Sequence, residues 1–235
     1  MCVMGDIAKN IAAIRADIEE AARKVGKSGS DIILCAATKM NDASRVREAI
    51  AAGIDVCGEN RVQELLEKYE EGAYVGAPLH FIGTLQTNKV KYIVGKVDLI
   101  QSVNSLKLAR EISKCAEKLG IVQDILVEIN IGGEESKSGA DEESAHELCQ
   151  SIALLPGVSV RGLMTIPPIC TDVETQKRFF IKMKELFIDI GAKKYDNINM
   201  EYLSMGMSGD YKTAIECGAN MVRVGTGIFG ARHYA

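Results

Sequence analysis

Lys39 follows a run of seven residues, Ile32-Ile33-Leu34-Cys35-Ala36-Ala37-Thr38, that is apolar almost throughout. A lysine in that position has its stem buried and its amine partly desolvated, which lowers its pKa and enlarges the neutral fraction. A neutral amine attacks an aldehyde, so the position suits reversible imine formation. The same residues also fit a lysine that caps a strand and snorkels to water. The pattern alone leaves both readings open. Two small-residue segments near the C-terminus, Leu203-Ser204-Met205-Gly206-Met207-Ser208-Gly209-Asp210 and Met221-Val222-Arg223-Val224-Gly225-Thr226-Gly227, suit a different task. Glycine admits a ligand close to the backbone, and exposed N–H groups, hydroxyls and a helix N-terminus can wrap phosphate oxygens. Either segment by itself also reads as an ordinary turn.

The other reactive types separate by context. His80 lies in an apolar run, where a core histidine hydrogen-bonded to a neighbour competes with a group that polarises a ligand. His146 stands among Glu142, Glu143 and Glu147 on a predicted helix and reads as surface, and His233 is in the tail. Three scattered histidines make no metal site. Seven cysteines, an odd number without any Cys-x-x-Cys pair, indicate neither a disulfide framework nor a zinc knuckle. Cys35 and Cys57 read as buried thiols. The pairs Glu134-Glu135 and Glu142-Glu143 read as solvated carboxylates, and Met164, Met200, Met205 and Met207 as packing.

What could bring these residues together is an alternation of short β-type runs with helical stretches. A first helix carries Ile7, Ile11, Ile14 and Ile18 on one face and fades near Gly26. The strands are expected at Ile32–Thr38, Asp55–Gly58, Leu79–Gly83, Leu99–Ser102, Ile125–Ile131, Val158–Met164, Tyr202–Ser204 and Met221–Val224. Helices are expected between them at Ala43–Ala52, Arg61–Glu70, Gln86–Val94, Ser105–Leu119, Glu142–Leu154, Glu174–Ile190 and Tyr211–Glu216. Eight strands in 235 residues favour a closed parallel (β/α)8 barrel of the TIM type over an open doubly wound sheet. Residues 1–235 are expected to form one domain with an extra N-terminal helix. Chemistry in such a barrel gathers where strands end, and the loops after strands seven and eight commonly hold phosphate. The strand ends are Thr38-Lys39, Gly58-Glu59-Asn60, His80 with Gly83, Asn130, Met164-Thr165, Ser204 to Ser208 and Arg223 to Thr226.

Lys+Arg total 28 against 32 Asp+Glu, a net charge of −4, with no basic stretch interleaved with aromatics, so nucleic acid is not an expected partner. Apolar runs fall far short of the roughly 20 residues that cross a bilayer, so no membrane span is expected. The N-terminus has no pattern of a secretion signal, and a cytoplasmic location is expected.

Seven motifs stand in order: Thr38-Lys39; Gly58-Glu59-Asn60 with Val62-Gln63-Glu64; His80-Phe81-Ile82-Gly83 with Leu85-Gln86 and Asn88-Lys89; Ser136-Lys137-Ser138-Gly139; Arg161-Gly162-Leu163-Met164; Leu203 to Ser208; and Met221 to Thr226 with Ile228-Phe229-Gly230-Ala231-Arg232. From about Ile7 to Tyr234 the chain resembles the pyridoxal phosphate homeostasis proteins, relatives of the N-terminal barrel domain of alanine racemase. The resemblance implies a barrel that binds pyridoxal 5′-phosphate as a Schiff base on Lys39. It implies phosphate contacts from Ser208, Gly225 and Thr226 with Ser204 close by, Arg223 opposite the pyridine nitrogen, and Asn60 and His80 lining the site. Lys137 becomes a candidate for ligand traffic. The function implied is intracellular homeostasis of the cofactor by a monomer, with acceptor enzymes or free amino acids as partners. An amino-acid racemase is the alternative. Against it, alanine racemase completes its site with a second β-domain, for which no residues follow Ala235. An aldolase-type barrel with a Schiff-base lysine and no cofactor is a further rival. Two departures from the family pattern stand out: Met40-Asn41 where a second lysine and a proline often follow the cofactor lysine, and Leu79 where an aromatic often precedes His80.

Overall fold

The spacing of Ile7, Ile11, Ile14 and Ile18 places all four on the buried face of helix α1, Asp6–Lys24, and the chain leaves that helix through Gly26 at φ +72°. The computed structural model describes residues 6–133, 138–168, 170 and 172–230. Beyond α1 the alternation runs β1 (Ile33–Ala37), α2 (Ala43–Ala51), β2 (Val56–Glu59), α3 (Val62–Glu70), β3 (Leu79–Phe81), a 3₁₀ segment (Thr87–Tyr92), β4 (Leu99–Val103) and α4 (Leu106–Leu119). It continues with β5 (Gln123–Asn130), β6 (Ala140–Asp141), α5 (Ala145–Ala153), β7 (Val158–Met164), α6 (Val173–Ala192), β8 (Ile198–Ser204), α7 (Tyr211–Glu216), β9 (Met221–Val224) and α8 (Thr226–Phe229). Every strand pairing is parallel, in the order β4-β3-β2-β1-β9-β8-β7-β5, and β5 pairs with β4 to close the ring. The fold is therefore the expected eight-stranded parallel barrel with helices between its strands.

Helix α8, Thr226–Phe229, lies beyond the expected helices, and three further elements differ from the sequence expectation. The segment before β4 is 3₁₀ rather than α-helical over Thr87–Tyr92; its fully buried Val90 and Ile93 stand three apart, the spacing that a three-residue turn aligns. Strand β8 begins at Ile198 rather than Tyr202, because exposed Asn199 and half-exposed Glu201 alternate with Ile198, Met200 and Tyr202 and hide its apolar face. A ninth strand, the two-residue β6, adds to Ile129 and Asn130 outside the ring, and is too short to leave a periodic signal.

The alternation of each strand divides the apolar side chains between two packed regions. Leu34, Cys57, Phe81, Ile100, Val127, Leu163 and Val222 face the helices, whereas Cys35, Val56, Leu99, Leu126, Met164 and Met221 fill the lumen. Helix α1 braces the last βα units. Asn10 Nδ2 donates to Ile228 O of α8 at 2.9 Å, while Tyr211 OH and Lys212 Nζ of α7 both donate to Asp17 at 2.6 Å. The hydrogen bonds from Lys212 and Tyr211 hold the Asp17 carboxyl below its usual range.

Gly162 lies at φ +145°, at an irregularity in the β7–β8 pairing, and a Cβ there would fall 1.9 Å from Tyr202 O. Gly162→Ala should lower unfolding stability by about 2–4 kcal/mol, read as a smaller urea midpoint at unchanged m-value.

Candidate functional site

Lys39 is half-buried just beyond β1 and lines a cavity of about 370 Å³ at the C-terminal rim of the barrel. The cavity is shared with Ala37, Asn41 and Arg45 on one side and Gly225, Thr226 and Phe229 on the other. Strand β1 pairs directly with β9, so the lysine after one strand meets the glycine-threonine loop after the other. Arg45 closes the outer wall, its Nη2 donating to Phe229 O at 2.5 Å and its Nε to Asn41 Oδ1 at 3.0 Å.

The loops after β8 and β9 are joined by one hydroxyl. Ser208 Oγ accepts from Gly225 N and from Gly227 N, both at 3.3 Å, so these N–H groups converge on a single point. Gly206 turns the first loop at φ +93°, and a Cβ on it would lie 2.6 Å from Ala214 Cβ. Met207 N donates to Asp210 Oδ1 at 2.5 Å, which closes the turn into α7.

On four strands the residue two positions beyond the apolar layer of the lumen is polar: Gln101 after Leu99, Glu128 after Leu126, Ser204 after Tyr202 and Arg223 after Met221. Three of them, Arg223, Ser204 and Gln101, form a directed chain that ends on His80. Arg223 Nη1 donates to Ser204 Oγ at 2.6 Å, Ser204 Oγ donates to Gln101 Oε1 at 2.7 Å, and Gln101 Nε2 donates to His80 Nδ1 at 2.9 Å. With Nδ1 an acceptor, the proton of neutral His80 resides on Nε2. Arg223 Nη2 donates to Thr165 O at 2.9 Å. Burial pulls Arg223 below its ordinary value and pushes the Glu128 carboxyl up, the latter opposed by the hydrogen bond from Ser138 Oγ at 2.6 Å and the charge of Arg223. Burial also lowers His80 to about 4, so at neutral pH the ring is uncharged.

Residues 10–233 match the family model of the alanine racemase N-terminal domain. A pyridoxal phosphate homeostasis protein of Aquifex aeolicus is 46% identical over 92% of this chain and 94% of its own. The chain belongs to the pyridoxal phosphate homeostasis protein family. Among solved structures, PipY of Synechococcus elongatus with pyridoxal phosphate bound is 30% identical over 95% of this chain and all of its own, with a TM-score of 0.83. A protein of unknown function from Bifidobacterium adolescentis is 36% identical over 95% of this chain and 94% of its own, with a TM-score of 0.90.

In this member of the pyridoxal phosphate homeostasis family, the sequence-predicted residues fall into two groups. Lys39, Gly225 and Thr226 line the rim cavity, and Ser208 is bonded to that loop. His80, Ser204 and Arg223 lie in the lumen network. Asn60 sits at the end of β2 with a buried Oδ1 that has no hydrogen-bond partner among the described residues. Lys137, Glu134 and Glu135 lie outside the described residues, as do Arg232 and His233. No metal-binding cluster occurs among the described residues. No helix among them is long and apolar enough to cross a membrane.

Sequence reasoning missed Gln101, Glu128 and Arg45. The first two had a signal, a lone polar residue two places beyond an apolar one near the end of a buried strand. Arg45 had none, because its reach to Phe229 spans 184 positions.

His80 refuses a proton in the folded protein that the unfolded chain accepts between pH 6.5 and about 4. Its neutral burial therefore stabilises fully above pH 6.5, and that contribution is lost as pH falls toward 4. The stability difference between the parent and His80→Asn should shrink by on the order of 3 kcal/mol from pH 7 to pH 4, measured by urea unfolding.

Proposed function

We propose that this chain holds pyridoxal 5′-phosphate as a reversible Schiff base on Lys39 and acts in cytoplasmic homeostasis of that cofactor. The carrying observation is that Lys39 shares one cavity with Gly225 and Thr226, beside N–H groups already gathered on the Ser208 hydroxyl. The residues present fit such a ligand. The cavity has the volume of a small-molecule site, glycine and threonine offer backbone and hydroxyl donors to a phosphate, and Asn60 Oδ1 is a buried acceptor without a described partner. The PLP-bound relative PipY supports the same assignment by its 30% identity over its whole length.

When bound, the cofactor supplies an aldehyde carbon for C=N bond formation. Lys39 would supply the amine nitrogen for that bond, with the carbonyl oxygen released as water and water reversing the exchange. Ser208, Gly225 and Thr226 would hold the phosphate, with Ser204 near by, and Asn60 and His80 would border the ring. Arg223 would face the pyridine nitrogen, having guanidinium donors beyond the two committed to Ser204 and Thr165. An arginine stays cationic and yields no proton to the ring, which leaves a weak electron sink and disfavours carbanion chemistry. The reading is therefore a carrier, a single barrel domain acting as a monomer, that exchanges its cofactor with free amino acids or acceptor enzymes. Enantiomer conversion of a pure amino acid on a chiral column would instead favour the racemase.

The yellow protein treated with borohydride should carry a pyridoxyl group on the Lys39 peptide, and Lys39→Ala should not. A colourless protein, or an adduct elsewhere, removes the assignment. Replacing Ser208 and Thr226 together with alanine should weaken cofactor retention about 10- to 100-fold while the urea midpoint moves little.

A further inference from the structure

A second cluster of charge, not used by the site above, lies beneath the segment that carries Lys39. Lys68 of α3 is 5% exposed and Glu59 at the end of β2 is fully buried. Lys68 Nζ donates to Thr38 O at 2.8 Å, to Glu59 Oε1 at 2.7 Å and to Glu64 Oε1 at 3.0 Å. An ammonium has three protons, and these are three acceptors in three directions. Glu59 Oε1 also accepts from Thr38 Oγ1 at 2.6 Å and Tyr74 OH at 3.0 Å. Glu64 Oε1 also accepts from Met40 N. Isolated burial of either charge is expensive, and here the contacts gather on one oxygen of Glu59, Oε1, while its Oε2 is buried without a partner among the described residues.

That geometry acts on two particular peptide planes. Thr38 O belongs to the peptide bond before Lys39, and Met40 N to the peptide bond after it. Lys68 holds the first plane and Glu64 the second, while Asn41 Nδ2 reinforces the second by donating to Lys39 O at 3.0 Å. With both planes held, φ and ψ of Lys39 are determined and so is the direction of its Cα–Cβ bond. Met40 shows that the restraint is needed. It adopts φ +60°, a left-handed conformation that L residues rarely take, and the residue is 53% exposed, so packing does not hold it there.

We propose that Glu59, Lys68 and Glu64 form a clamp of positioning residues that aims the Lys39 amine into the rim cavity by fixing the backbone on both sides of it. The proposal rests on the Schiff-base reading above and adds the groups that orient its nucleophile. The clamp needs no contact with the cofactor. It acts by proximity, keeping the amine where the aldehyde arrives.

Glu64 is the position to vary, since it is partly exposed and tolerates change better than Glu59. Glu64→Gln keeps an Oε1 acceptor for Met40 N and Lys68; Glu64→Leu removes it. Tyr74→Phe deletes a hydrogen bond to Glu59 without touching either peptide plane, and so reports loss of stability alone. The rate of imine formation with pyridoxal 5′-phosphate should fall at least about tenfold in Glu64→Leu and stay within about twofold of the parent in Glu64→Gln and Tyr74→Phe. Affinity for 4-deoxypyridoxine 5′-phosphate, which has no aldehyde, should stay within about twofold in all of them. In the ligand-free protein, the Met40 amide should exchange at least about tenfold faster in Glu64→Leu and not in Glu64→Gln. An imine rate in Glu64→Leu equal to the parent's, a fall matched by an equal loss of the aldehyde-free ligand, or unchanged Met40 exchange overturns the clamp. If the parent itself forms no imine at Lys39, the cofactor reading fails, and the clamp is then judged by the Met40 exchange alone.

Discussion

A guanidinium enclosed in a barrel lumen needs acceptors, and Arg223 finds two there, Ser204 Oγ and Thr165 O. Arg223 is fully enclosed on β9, and the strands around it supply Ser204, Gln101 and Glu128 at the matching height. Two residues earlier the same strands present Tyr202, Leu99, Leu126 and Met221. The lumen thus changes from apolar to polar within one side-chain repeat. A lone buried cation would be strongly destabilising, whereas one in a directed hydrogen-bond chain is tolerated and becomes rigid.

The directionality of that chain matters for chemistry. Because Arg223 can only donate, Ser204 accepts from it and donates onward, Gln101 is oriented by Ser204, and His80 receives a donor on Nδ1. One residue with no acceptor capacity therefore dictates the tautomer of a histidine three links away. The result is a floor of fixed dipoles under a rim whose loops carry the small residues.

The rim is braced from outside the ring. Helix α1 adds no strand, yet it ties α7 through Asp17 and α8 through Asn10. Helix α7 follows the loop that holds Ser208, and α8 begins at Thr226. On the opposite side of the cavity, Arg45 links α2 to Phe229, so both walls are pinned across long sequence separations. Lys39 sits between these walls, on a segment whose flanking peptide planes are themselves hydrogen-bonded to α3.

Alternation and strand-end logic made the barrel, the buried face of α1 and the pairing of Lys39 with the Gly225-Thr226 loop legible from the chain, because hydrophobic periodicity and a closed parallel sheet together bring the strand ends to one rim. The motifs carried the family. What the chain alone left unread has a common cause in distance. Which donor meets which acceptor depends on register between strands: Gln101 reaches Ser204 across 103 positions and Arg223 reaches Thr165 across 58. The separation of Lys39 at the rim from His80 and Arg223 in the lumen follows from which way each strand residue points once the ring closes. Local pattern specifies the elements, since helix and strand periods are short-range properties. The directed hydrogen bonds, the left-handed Met40 and the three-way contact of Lys68 were decided only by tertiary structure, because each requires partners that closure of the barrel brings within hydrogen-bonding distance.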